Sequence, residues 1–120
     1  MRSKWLMYRE TQIFFQDFSG HSIMNMEPVK QELAEVQQVV TAAPENSVLV
    51  LADFRQTRIG KDLMEIFTAS SSVTKSHVKK TAVLGVTGTK RILADMLIRF
   101  TGQQLSFFDT EDDAKEWLIK

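Results

Sequence analysis

Two short apolar runs constrain this chain most. One is Thr81-Ala82-Val83-Leu84-Gly85-Val86; the other, Ser47–Phe54, has Val48-Leu49-Val50-Leu51 at its centre, and neither core carries a charge. Short uncharged runs rich in branched residues and bounded by turn residues read as strands covered on both faces, as in parallel sheets. A parallel pair needs a long crossover between its members, so helices are expected between such strands. The Thr81–Val86 run turns at Thr87-Gly88-Thr89 and passes at once into a helical stretch, Lys90 to Phe100. That junction offers free N–H groups at a helix start, where an anion or partner could dock.

The rest of the chain fits the same plan. Lys4–Tyr8 and Gln12–Phe18 read as two strands joined at Arg9-Glu10-Thr11, the second aromatic-rich and apolar on both faces. Asn25 to Pro28 reads as a helix start, and Val29, Leu33, Val36 and Val40 form one apolar stripe, with Gln31, Glu32, Glu35 and Gln38 on the other side. Pro44 ends that helix. A second helix carries Ile59, Leu63, Ile66 and Phe67, with Ser70-Ser71-Ser72 weakening its end. Past Gly102, Leu105–Phe108 is a last strand, Thr110 and Asp113 form a capping pair, and Ala114, Trp117 and Leu118 face inward on a final helix. The order β-β-α-β-α-β-α-β-α predicts an α/β domain: a mixed, largely parallel sheet of four to five strands, flanked by about four helices.

Size and charge narrow the function classes. The 120 residues make one domain, 1–120, large enough to bury roughly 65% of its unfolded surface. Fifteen basic residues balance fifteen acidic ones, which argues against a dedicated nucleic-acid binder. With no cysteine there is no disulfide framework, thiolate metal site or cysteine nucleophile. The first residues are too short an apolar run for a signal peptide, and no run reaches the roughly 18 apolar residues of a membrane span, so a cytoplasmic location is expected. The charge is nevertheless uneven. Residues 1–54 hold four basic and seven acidic side chains, net −3; residues 55–99 hold nine and three, net +6; residues 100–120 hold two and five, net −3.

In sheets of this kind ligands and partners are met at the carboxyl ends of the strands. Two loops are expected there, Asp53–Arg58 and Val86–Arg91, gathering Arg55, Arg58, Lys61, Lys90 and Arg91 on one rim. Asp53, Thr57, Thr87 and Gly88 complete the candidate partner- or anion-binding set. Each has a plainer reading. An aspartate closing a strand commonly bonds turn amides, loop threonines serve as caps, and this glycine turn lacks the spacing of a phosphate-binding loop. His21 and His77 have no companion at metal-ligand spacing, and the acidic group Asp109, Glu111, Asp112 and Asp113 suits a helix N-terminus better than a divalent metal. No catalytic residue, metal site or cofactor is expected.

Three segments carry a family resemblance: VLVLADFRQTRIGKDL (48–63), KKTAVLGVTGTKRIL (79–93) and RFTGQQLSFFDTEDDAKEWL (99–118). They resemble the STAS-type domains of the small bacterial group often called SpoIIAA-like, related to sulfate-transporter and anti-sigma-factor-antagonist modules and sometimes grouped with the Sec14 lipid-binding fold. The resemblance implies a four- or five-stranded sheet flanked by helices and a role in protein–protein regulation or ligand sensing. The wider superfamily's antagonists carry a phosphorylatable serine in an Asp-Ser-Ser-Gly type motif at the helix start after the strand matching Val48–Phe54. Here the region reads Arg55-Gln56-Thr57-Arg58-Ile59-Gly60, where Thr57 is the only hydroxyl.

Three function classes follow. The first is a non-enzymatic regulatory module that binds a protein partner, or a second copy of itself, through the loop edge. The second is a small-molecule or lipid binder in which Phe14, Phe15, Phe18, Met64 and Phe67 line a cavity and the rim accepts an anionic headgroup. The third, an enzyme, has no activated nucleophile, convergent carboxylates or cofactor fingerprint in its favour.

Overall fold

In the computed structural model, which describes residues 1–21, 25–57, 59–86, 94–95, 98, 100 and 102–120, five strands lie side by side in chain order. They are β1 (Lys4–Tyr8), β2 (Thr11–Asp17), β3 (Val48–Asp53), β4 (Val78–Leu84) and β5 (Leu105–Phe108). The β1–β2 pair is antiparallel, and β2–β3, β3–β4 and β4–β5 are parallel. Three helices are described from end to end: α1 (Glu27–Thr41), α2 (Lys61–Thr74) and α3 (Glu111–Leu118). Of the helix expected at Lys90–Phe100, Ala94, Asp95 and Ile98 are described and helical; most of the remainder lies outside the described residues.

Alternation along the strands sorts the side chains into two faces. Phe14, Val50, Thr81 and Leu105 form one row, and Phe15, Leu51, Ala82 and Ser106 the next row on the opposite face. Strands laid down in sequence order by crossovers of one hand place their helices on one side of the sheet. Accordingly α1 and α2 share a face, where Val29, Leu33, Val36, Val40 and Leu63 pack on Phe14, Phe18, Val50, Ala52 and Val83. Only the segment after the last strand is free to cross over. There α3 covers the second face with Ala114 and Leu118 against Ile13, Leu49, Leu51, Ala82 and Leu84.

The strand read as Thr81–Val86 is displaced: it runs from Val78 to Leu84. Gly85, at φ +76°, ends it. Upstream it takes in Lys79 and Lys80, with a register shift between Val48 and Leu49. The Lys80 charge is accommodated at the C-terminal end of α3. Its ammonium lies 5.0 Å from the Trp117 ring centre and donates to the carbonyls of Trp117 and Lys120, each at 3.1 Å.

Two helices also depart from the sequence reading. Glu32 does not belong to the solvent side of α1. It is buried, and its carboxylate accepts the main-chain N–H groups of Arg2 (3.0 Å) and Ser3 (2.8 Å), which fastens the N-terminus to the helix. Burial alone would raise this carboxyl; the bonds from Ser3 and Arg2 and the N-terminal ammonium outweigh it and hold Glu32 below its ordinary value. In α2 the serine run is wholly helical. Ser70 accepts from Gln37 of α1 at 3.0 Å, and Ser71 bonds Gln103, so tertiary contacts offset weak propensity.

The β1–β2 turn is two residues, not three. Arg9 (φ +48°) and Glu10 (φ +68°) both sit in the left-handed region, the pair of conformations a type I′ hairpin turn requires. Neither is glycine or asparagine, so the turn is strained by roughly 1–2 kcal/mol per residue. Glu10→Gly should raise the unfolding free energy by about 1 kcal/mol in urea titration, since Arg9 keeps its 2.7 Å ion pair with Glu116. A loss of stability would show that the turn is not of this type. No helix among the described residues is long and apolar enough to cross a membrane.

Candidate functional site

The carboxyl ends of β2, β3, β4 and β5 point the same way, and their exits converge on Arg55. Asp53, the last residue of β3, is buried and accepts three bonds: Oδ1 from the Arg55 backbone N–H (2.9 Å) and Nε (3.0 Å), and Oδ2 from Nη2 (3.0 Å). The plainer reading of Asp53, a turn cap, therefore describes its contacts, with a forked guanidinium pair added. Hydrogen bonding to Asp53 raises the Arg55 guanidinium above its already high ordinary value. Glu111, first residue of α3 beyond the β5 exit, lies 3.6 Å from Arg55 Nη2. Arg55 is thus half-exposed and flanked by two carboxylates, Asp53 and Glu111.

The β2 and β3 exit loops are tied to each other. Phe18 N–H donates to the Asp53 carbonyl (2.9 Å) and Gly20 N–H to that of Arg55 (3.0 Å). Thr57 closes the seam: its hydroxyl donates to the Phe18 carbonyl (2.5 Å) and accepts from His21 N–H (3.1 Å). Gln56, at φ +60°, makes the sharp bend that returns Thr57 N–H to the Phe54 carbonyl at 3.1 Å. The β4 exit is pressed against the same turn. A Cβ on Gly85 would lie 2.5 Å from Arg55 N and 2.7 Å from its Cα.

Beneath the seam, Phe18, Phe54 and Phe67 form an aromatic cluster, with Phe18 stacked on Phe54 at 5.6 Å and Phe67 edge-on to both at 4.7 and 4.8 Å. Beside it lies a cluster the sequence reading missed. Arg2 reaches from the start of β1 to donate to Asp17 (3.1 Å) and to the Ser19 carbonyl (2.9 Å), and sits 2.8 Å from His21 Nε2. Burial would raise Asp17, but bonds from Ser19 and the Arg2 charge outweigh it and lower its pKa; burial and Arg2 together push His21 down. Nε2 must accept from the guanidinium, so the ring is neutral with its proton on Nδ1. Nothing local in the sequence marks this group, because only the antiparallel β1–β2 register brings Arg2 to Asp17.

Of the expected rim, Asp53, Arg55 and Thr57 are together, and Lys61 is exposed at the start of α2. Arg58, Thr87, Gly88, Lys90 and Arg91 lie outside the described residues. The aromatic set expected to line a ligand cavity is divided. Phe14 and Phe18 are fully buried in the core, and Phe15 faces the α3 side. A cavity of about 80 Å³ does lie between the α1–α2 layer and the sheet, bordered by Gln16, Val50, Phe54, Phe67, Ser70 and Thr81. Among the described residues no three His, Asp or Glu side chains converge as a metal site. Comparison of the chain with family models, with curated proteins and with solved structures finds no match.

Proposed function

We propose that this chain is a STAS-like, non-enzymatic binding module that presents its strand-exit rim to a protein partner. The observation supporting this reading is the hydrogen-bonded seam between the β2 and β3 exit loops, beside which buried Asp53 holds the half-exposed Arg55 guanidinium in a forked pair. Loops fixed on a rigid scaffold are the usual place for recognition, and preorganisation lowers the entropic cost of binding. The fuller architecture of the resemblance, with a helix at Lys90–Phe100 behind the basic turn, would extend the same surface. The second reading, a lipid or other anionic small molecule, is less well supported: the apolar cavity of about 80 Å³ falls far below the roughly 300 Å³ of a small ligand site, and a polar cleft of about 210 Å³ at Lys75, Lys79 and Gln103 lies at the entry to β4 and β5, away from the rim.

Arg55 is a poor choice for charge reversal, because a carboxylate there would face buried Asp53. Lys61 is the better probe. With the chain immobilised against extract of its native cell, Lys61→Glu should lower recovery of the specific partner about tenfold and leave the melting curve unchanged. Equal recovery by wild type and variant, at every salt concentration, would remove the rim as the contact surface.

A further inference from the structure

The free edge of β1 carries a different surface from the rim. Tyr8 and Thr11 flank the two-residue turn, so they form its closing hydrogen-bonded pair, and the ladder alternates from there. Leu6 and Lys4 then aim their main-chain groups at β2, while Trp5 and Met7 aim theirs outward. The same two residues are among the chain's exposed large hydrophobics, at 41% and 63%. Both lie on the α1 face, with the Trp5 ring 4.8 Å from that of Phe14. Edge strands are ordinarily guarded by proline, bulges or inward-pointing charge. The run Lys4–Tyr8 carries one guarding charge, Lys4 at its first residue, but has no proline, and its pairing with β2 is unbroken.

We propose that β1 pairs antiparallel with β1 of a second copy of this chain, about a two-fold axis at Leu6, joining two sheets into one. Backbone parity selects the register. Outward residues must oppose outward residues, which allows Trp5 opposite Met7, Trp5 opposite Trp5, or Met7 opposite Met7. The second would set Met7 against Ser3, whose N–H is already held by Glu32. The third would set Trp5 against Arg9, which is in the turn. The register centred on Leu6 is the one in which both outward residues of each copy find a strand partner. It also sets each exposed Trp5 against a Met7, a favourable sulfur–aromatic pair, and each Lys4 against a Tyr8. No like charges meet.

This self-complementarity is what favours a second copy over a foreign strand, and a net charge of zero sets no long-range repulsion against it. The contact is small, so association is expected in the micromolar range rather than tighter.

Sedimentation equilibrium over roughly 1 µM to 1 mM tests it. The wild-type mass should climb from the 13.7 kDa of one chain towards twice that value. Met7→Glu should hold it at one chain, and Trp5→Lys with Met7→Glu should restore the dimer, because each lysine then faces a glutamate. A wild-type chain monomeric throughout the range, or a dimer indifferent to Met7→Glu, overturns the proposal; a double variant that stays monomeric while folded overturns the register. Should a variant fail to fold, single cysteines in this cysteine-free chain decide the same point. Leu6→Cys brings two Cα atoms to about 4.5 Å across the axis, within disulfide reach, whereas Met7→Cys does not. Dimer cross-linking by Leu6→Cys supports the pairing, and faster cross-linking by Met7→Cys contradicts it.

Discussion

Gly85→Ala should lower the unfolding free energy by about 3 kcal/mol and disrupt the rim more than any other single-methyl change. Two effects add. At φ +76° an L side chain carries a backbone cost of roughly 1–2 kcal/mol. The new Cβ would also fall 2.5–2.7 Å from the Arg55 main chain and Cγ, and relieving such overpacking typically costs a further 1–3 kcal/mol. The atoms in the way are mostly backbone, held by Asp53 on one side and Gly20 on the other, so they have little room to retreat. Gly102→Ala supplies the control. Gly102 is at φ +88° with nothing among the described residues within 4 Å of where a Cβ would go, so it should show the backbone cost alone, about 1 kcal/mol. Urea titration of both variants measures the difference. Equal losses would mean that the β4 exit does not press on the β3 turn.

Phe18→Ala should cost about 4 kcal/mol, a large part of the 5–15 kcal/mol that stabilises a domain of this size. The ring is fully buried between Phe54 and Phe67, and three elements would have to move inward together to fill the space. The main chain of Phe18 is a strut of the seam, since its N–H and carbonyl bond Asp53 and Thr57. Loss of the ring should therefore loosen the exit loops as well. Faster amide exchange at Phe18, Gly20 and Thr57, at a denaturant concentration where the rest of the sheet stays protected, is the expected sign. Phe15→Ala, on the other face and only half-buried, should cost about 2 kcal/mol and leave those amides protected.

Features set by local chemistry were legible in the sequence. The α1 stripe Val29, Leu33, Val36 and Val40 is the buried face, β1 and β5 have the expected bounds, and Thr110 accepts from Asp113 N–H at the start of α3. Both central strands were found because their residues are buried on two sides. What escaped depends on register. Glu32 occupies a position that reads as solvent-facing, and only the N-terminus arriving from β1 buries it. Lys79 and Lys80 fall outside the strand read from Thr81, because the helix C-terminus that accepts the Lys80 ammonium lies 37 residues away. Asp53, Arg55 and Thr57 lie together at the β3 exit, where the sequence reads as a cationic lip. Its two acidic neighbours, Asp53 two residues earlier and Glu111 on α3, meet the Arg55 charge, so the lip is not simply cationic.

The shared rim requires β3 and β4 to run side by side in the same direction, so that their exits meet at Arg55. Interstrand contacts between amide and α protons, read by nuclear magnetic resonance on a uniformly labelled chain, test this directly. Contacts joining Val50 to Thr81 and Ala52 to Val83, with a through-bond coupling from Phe54 N–H to the Leu84 carbonyl, are the predicted result. Contacts joining Val50 to Val83 and Ala52 to Thr81 would make the pair antiparallel, and the shared rim would not exist.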